Sequence, residues 1–232
     1  MSRLMYNASI QTFSHHLKNL SAMLKKARKN AKQRSIDETV LITARLAPDM
    51  LPLAAQVMMA CDHAKGAAAR LSGLEPPSFK DDQVTFDGLE ERIKKTLAFV
   101  RTVKVSQLEG SEDKVVPLEL PVGKLRFNGG DYLHNWALPN FYFHLTTAYA
   151  ILRENGVDLG KADFLGRIPG VVASGPIAKM MGLKSEKPAK KPAAKKAPAK
   201  KKASKAAPKK RYMAKASNTK PIAGKRPAAK KR

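Results

Sequence analysis

The composition of the last 49 residues, 184–232, constrains this chain more than any other feature. Of the 44 lysines and arginines in the chain, 20 lie in this segment, against a single acid, Glu186. The other 183 residues carry 24 bases and 18 acids, so the segment supplies +19 of the net charge of +25. Its six prolines remove backbone donors, and it has only three sizeable apolar or aromatic residues with which to build a core. We therefore expect a disordered basic tail, 184–232, attached to a folded body.

The repeated KPAAKK, APAKKK and APKKR phrases of the tail predict a segment that binds polyanions. Nucleic acid, DNA or RNA, is the favoured partner, because each lysine that neutralises a phosphate releases a condensed counterion. A tail without fixed geometry contacts phosphates and not base edges, so we expect little sequence specificity. The bases expected to bind nucleic acid are Lys190, Lys191, Lys195, Lys196, Lys200, Lys201, Lys202, Lys205, Lys209, Lys210 and Arg211. An acidic membrane, another anion and no specific partner remain open as alternatives.

The segment KPAKKPAAKKAPAKKKASKAAPKK, residues 187–210, resembles the C-terminal tails of linker histones and the Lys/Ala/Pro extensions of some bacterial nucleoid proteins. This resemblance in composition implies association with the nucleoid. The closing GKRPAAKKR, residues 224–232, resembles part of a nuclear localisation signal, which implies the nucleus if the source is eukaryotic.

The body, residues 1–168, is long enough for one domain with a substantial core, followed by a linker or short docking segment, 169–183. The chain has no apolar run long enough to span a membrane, and its first residues are too polar for a signal peptide, so we expect a cytoplasmic protein. The single cysteine, Cys61, fits a reducing compartment and is interpreted as a small buried residue.

Four segments of the body have apolar residues at helical spacing. The first extends over residues 10–24, the second over 53–71 with Asp49 as the expected cap, the third over 86–100, and the fourth from Pro139 to Asn155. Each has an apolar face and a polar face, which is typical of a bundle.

Between the third and fourth helices, apolar residues alternate with prolines over residues 116–127. This pattern predicts a small, irregular hairpin or extended loop. The fold class is therefore all-α, a four-helix bundle with one long crossover. We leave open a homodimer through the bundle.

Two phrases, CDHAKGAAARLSG (61–73) and LPNFYFHLTTAYAILRENGVDLGKADFLG (138–166), resemble an uncharacterised, DUF1993-like branch of the DinB/YfiT-like four-helix-bundle superfamily. The resemblance covers residues 5–166. It implies a divalent metal held by three histidines, one from helix two and two at i, i+4 on helix four. It also implies thiol-dependent transferase or other metal-dependent activity for the better-known members.

By position, His63 matches the helix-two ligand and His144 the second helix-four ligand, while Asn140 occupies the first helix-four position. An asparagine oxygen is a weak, hard donor, so binding of zinc, nickel or iron is expected to be severely weakened. His134 could complete a site from the loop before helix four. The candidate metal residues are therefore His63, Asn140 and His144, whereas His15 and His16 are expected near the exposed side of helix one.

Three interpretations of the histidines remain open: an occupied metal site, a small-molecule pocket without metal, and polar core residues that hydrogen-bond to neighbours. We favour a non-catalytic bundle without a cofactor, joined to a tail that binds nucleic acid through phosphates. The alternative is a metal-dependent, thiol-transferase-like enzyme that uses His63 and His144.

Overall fold

A computed structural model describes residues 2–80, 84–168 and 170–180. These residues belong to the first of the two units into which the chain divides, Met1–Pro188. The tail predicted at 184–232, its candidate nucleic-acid residues and the end of the predicted linker lie outside the described residues.

The N-terminal helical arm consists of α1 (Ser2–Tyr6), a π-helical turn (Asn7–Gln11) and α2 (Thr12–Gln33). The predicted apolar face is confirmed, because Phe13, Leu17 and Leu20 are fully buried. The short helix α3 (Glu38–Thr43), which the sequence analysis did not identify, begins where the carboxylate of Asp37 accepts a hydrogen bond from the Thr39 amide at 2.8 Å.

Helix α4 (Leu53–Ser72) ends at Gly73, whose φ of 78° is left-handed. The expectation that Asp49 caps this helix is wrong, since the N-cap position is Pro52, which brings no side-chain hydrogen bond. The buried face of α4 is rich in alanine, and such small side chains let neighbouring helices approach closely.

Helix α5 (Phe86–Val100) begins where the Thr85 hydroxyl accepts a hydrogen bond from the Gly88 amide at 3.1 Å, and a 3₁₀ turn, Val105–Leu108, follows it. The predicted hairpin is present as β1 (Val115–Leu120) and β2 (Gly123–Asn128), paired antiparallel and in continuous register. Both strands lie at an edge, so the prolines interrupt no central ladder.

The last part of the bundle consists of α6 (Gly129–Asp131), a π-helical turn (Tyr132–Ala137) and α7 (Leu138–Glu154). The helical path therefore starts about ten residues before Pro139, in a stretch interpreted from the sequence as a loop. Helix α7 ends as predicted, with Gly156 at a φ of 81°. Two short helices follow, α8 (Lys161–Leu165) and α9 (Pro176–Met180).

The four long helices pack as the sequence predicts. Helix α4 contacts α5 and α7, and α2 contacts α5 and α7 across the core. The all-α four-helix bundle is confirmed. In the part of the chain that the structure describes, no helix has both the length and the apolar character needed to cross a membrane.

Candidate functional site

The two histidines carried over from the family resemblance meet between α4 and α7. The ring centroids of His63 and His144 lie 5.4 Å apart, and the ring planes are inclined by 16°. His144 is buried and His63 is half-buried, so the pair lies at the inner side of both helices. Two residues separated by 81 positions in sequence thus form one polar cluster, as the positional match implied.

The nearest polar partner of His144 is Gln56, a residue that sequence reasoning did not identify. The His144 Nδ1 lies 2.8 Å from the Gln56 Oε1, while the Gln56 Nε2 donates to the backbone carbonyl of Leu51 at 3.1 Å. The second bond assigns the amide orientation, so Nδ1 of His144 carries the proton and donates it. The signal in the sequence was a glutamine within the apolar stripe of α4, two turns before His63.

Burial keeps both imidazoles neutral. It lowers the pKa of His63 from 6.5 to about 4, with a further lowering from His144, an opposite effect from Asp62 and a smaller lowering from Arg70. Burial also lowers the pKa of His144. Neither ring is an imidazolium near pH 7, so the pair has no proton to give as a general acid at that pH.

The third candidate position, Asn140, lies one turn before His144 on α7. Its Nδ2 donates to the backbone carbonyl of Trp136 at 2.8 Å, a contact within the same helical path. His134 is exposed and lies in the π-helical turn, not in a loop. Neither residue has a described hydrogen bond or ring contact with His63 or His144.

The donor set does not fit the three-histidine metal site that the family resemblance implies. Within the described residues, no group of three or more His, Cys, Asp or Glu side chains is placed to hold a metal ion. The nearest carboxylate in sequence, Asp62, is engaged with Arg92 at 2.7 Å and Lys65 at 2.9 Å. His144 donates from Nδ1 to Gln56, so its Nε2 and the ring of His63 are the two imidazole donors, and the described residues place no third strong donor beside them.

Cys61 lies two residues before His63 in the sequence, and it is fully buried, as predicted. Burial raises the pKa of its thiol to about 12, so the thiol stays protonated at neutral pH. A nucleophilic cysteine requires the thiolate, which this environment disfavours.

A second histidine pair connects helix α2 to α8. The ring of His15 lies with its Nε2 2.6 Å from the Leu165 carbonyl, and Asn19 donates to the Phe164 carbonyl at 3.0 Å. The His16 ring contacts those of Tyr142 and Phe164, at centroid distances of 5.2 and 5.8 Å. Burial, followed by repulsion from His15, lowers the pKa of His16 to about 4.

The expectation that these two histidines lie near the exposed side is therefore wrong. Both are half-buried, because α8 folds back over this part of α2. The position of α8 depends on packing between distant segments, so helical periodicity of α2 alone did not reveal it.

Comparisons with known proteins agree on one family. The model for the domain of unknown function DUF1993 matches residues 5–165. A crystal structure of a DinB family member protein from Shewanella denitrificans superposes with a TM-score of 0.69 at 35% sequence identity. This match covers 74% of the present chain and 97% of that chain. No curated protein matches the sequence.

The fold, the extent of the domain match and the identity to the Shewanella denitrificans protein agree with the resemblance carried by residues 61–73 and 138–166. The chain belongs to the DUF1993 family and has a DinB-like helical fold.

Proposed function

We propose that this protein is a non-catalytic DinB-like bundle whose basic tail binds nucleic acid non-specifically through phosphates. The observation that carries the proposal is the charge of residues 184–232, with 20 bases against one acid. Binding of this kind places the protein on the nucleoid, or in the nucleus of a eukaryotic source.

Counterion release sets the expected strength of the interaction. If about half of the 20 basic residues engage duplex DNA at once, the log-log dependence of affinity on salt has a slope of about −9. The tail offers Tyr212 as its one aromatic residue, so stacking on bases contributes little. Affinity should therefore follow charge and salt, and not base sequence.

Three features of the bundle support a non-catalytic role. The histidine pair is neutral, and Asn140 stands where the family resemblance implies a third histidine. The buried thiol of Cys61 has a raised pKa. None of these groups is a proton donor or nucleophile ready to act at pH 7.

The test compares three forms of the protein on short mixed-sequence DNA duplexes by fluorescence anisotropy. One is the full chain, one lacks residues 184–232, and one carries the same tail residues in scrambled order. The deletion variant should show no measurable binding at about 0.15 M salt. The scrambled tail should bind as the full chain does, because binding to phosphates depends on the charge of the tail and not on the order of its residues.

Two results would contradict the proposal. If the deletion variant kept the affinity of the full chain, the tail would not be the segment that binds DNA. A scrambled tail that loses affinity would show that the order of the residues, and not their charge, determines binding.

A further inference from the structure

Helix α2 is unusually basic for a helix of a folded body. Over its 22 residues, Thr12–Gln33, the sequence contains five lysines and one arginine and no Asp or Glu. Surface helices commonly mix charges of both signs, since pairs of opposite sign at i, i+3 and i, i+4 stabilise the helix and like pairs destabilise it. This composition therefore sets like charges beside each other on one helix.

Four of these lysines form one stripe along the solvent side of α2. Lys18, Lys25, Lys29 and Lys32 are spaced by seven, four and three residues, and all four are exposed. At 100° and 1.5 Å per residue, the stripe stays within about 60° of the helix circumference and is about 21 Å long. We call these four residues the α2 lysine stripe.

Acids from neighbouring elements neutralise the bases on either side of the stripe. Arg28 contacts Glu38 at 2.9 Å and Asp87 at 2.6 Å. On the other flank, Lys26 contacts Asp163 at 2.7 Å.

The stripe itself remains largely unpaired within the described residues. Lys25 lies 3.8 Å from Glu90 and keeps 65% of its side chain exposed, and the other three lysines form no ion pair with any described residue. Within the described residues the flanking bases are matched, whereas three of the four stripe lysines are not. The charge of the stripe is therefore available to a ligand outside the folded body.

We propose that the α2 lysine stripe is a second phosphate-binding surface, which seats the folded body on the backbone of duplex nucleic acid. The inference rests on the proposed function, in which the tail supplies the main affinity. Each strand of a duplex presents one phosphate per 3.4 Å of axis while it winds around the duplex, so the stripe can reach phosphates on both sides of a groove. The four flexible lysines, spread over about 21 Å, are long enough to contact several of them.

An anionic membrane surface fits the same stripe less well. Helices that lie on membranes insert an apolar face beside their basic residues. On α2 that face, which includes Phe13, Leu17 and Leu20, is fully buried in the bundle core. The exposed side of α2 therefore offers a ligand charge but no apolar face, which favours nucleic acid over a lipid membrane.

The test uses the full chain and removes four charges in two matched ways. The stripe variant is Lys18→Gln, Lys25→Gln, Lys29→Gln and Lys32→Gln. The control variant replaces four exposed lysines elsewhere on the body, Lys80, Lys104, Lys114 and Lys161, by glutamine. A third variant, with arginine at the four stripe positions, keeps the charge. The probe is a short mixed-sequence DNA duplex titrated by anisotropy over a range of salt concentrations.

Loss of four phosphate contacts should reduce the magnitude of the salt slope by about 3.6, since each contact contributes about 0.9. Between 50 and 200 mM salt, affinity of the stripe variant should therefore fall about 100-fold less than affinity of the wild-type chain. The control variant should lose affinity over this salt range nearly as steeply as the wild type, and the arginine variant should have the wild-type salt slope.

Equal slopes for the stripe and control variants would overturn the inference, because net charge alone would then explain the effect. It would also fail if the stripe variant lost binding to vesicles of anionic lipid but not to the duplex. A wild-type chain that does not bind the duplex at all would contradict the proposed function itself, which is a distinct outcome. Far-ultraviolet circular dichroism and urea unfolding check that all variants fold.

Discussion

The imidazole of His144 donates from Nδ1 to the side-chain oxygen of Gln56 at 2.8 Å. The same glutamine donates to the Leu51 carbonyl, so its amide joins the start of α4 to the middle of α7. Because the amide orientation assigns the proton to Nδ1, only Nε2 of this ring can accept a hydrogen bond or hold a ligand. Gln56 thus determines the orientation and the tautomer of a residue that the family resemblance places in a metal site.

Replacing Gln56 by leucine should destabilise the bundle. The buried Nδ1–H of His144 and the Leu51 carbonyl would each lose their partner, at a cost of about 1–3 kcal/mol of unfolding free energy. Urea unfolding at pH 7 measures the change. Gln33→Leu, at an exposed position on α2, is the matched control and should change stability by less than about 0.5 kcal/mol. Equal stability of Gln56→Leu and the wild type would argue against the assigned network.

Stability should fall as the pH drops from about 6.5 to about 4. The pKa of His63 is about 4 in the folded state against 6.5 ordinarily, so in this window the unfolded chain binds more protons. The contribution of His63 is complete above pH 6.5, and it decreases by about 1.4 kcal/mol per pH unit within the window.

Unfolding free energies at several pH values measure this slope. His63→Phe keeps a ring against His144 and removes the titration, so its slope should be shallower by about one proton. His134→Gln, which replaces an exposed imidazole outside the pair, is the control variant. If His63→Phe kept the full slope as well, titration of His63 would not be its source.

Gly129 should not tolerate a side chain. A Cβ built at this position lies 1.8 Å from the backbone carbonyl oxygen of Ser111, so the segment between the 3₁₀ turn and β1 and the start of α6 would have to move apart. We expect Gly129→Ala to cost about 3 kcal/mol, measured by thermal or urea unfolding. At Gly160, the N-cap of α8, a Cβ meets nothing within 4 Å, so Gly160→Ala should cost less than about 1 kcal/mol, the effect of alanine at a helix N-cap. Comparable stability of the two variants would contradict this packing.

Removal of divalent metal should leave the protein unchanged. Among the described residues the pair His63 and His144 has no third strong donor, so protein purified without added metal should contain less than one equivalent of zinc, nickel or iron. A chelator should not change its unfolding temperature. Elemental analysis and thermal unfolding measure both quantities. One equivalent of metal, lost in His63→Ala, would instead favour the metal-dependent alternative.

Local patterns were sufficient for much of the fold. Apolar residues at helical spacing identified the buried faces of α2, α4, α5 and α7, and glycines at 73 and 156 marked helix ends. These features depend on residues a few positions apart, so they can be read along the chain. Asp49 shows the limit, since a residue of the correct type near a helix start does not become its cap unless the backbone places it there.

The candidate site was likewise only partly predictable from the sequence. The positions of His63 and His144 on facing helices followed from the family resemblance, whereas the role of Gln56 and the burial of His16 did not. Both depend on which residues of distant helices meet. Neighbouring residues of a helix point about 100° apart, so a helix rotated by one residue would bring different side chains into each of these contacts.

The sequence by itself determined the charge of the tail, the number of long helices and the composition of their faces, because these are properties of local composition and period. Only the tertiary structure decided which charges are matched. Arg28 meets Asp87, 59 residues away, and Lys26 meets Asp163, while Lys29 on the same helix meets no described acid. Ion pairs between elements form at the few ångströms over which charges interact strongly, and packing of the bundle sets those distances.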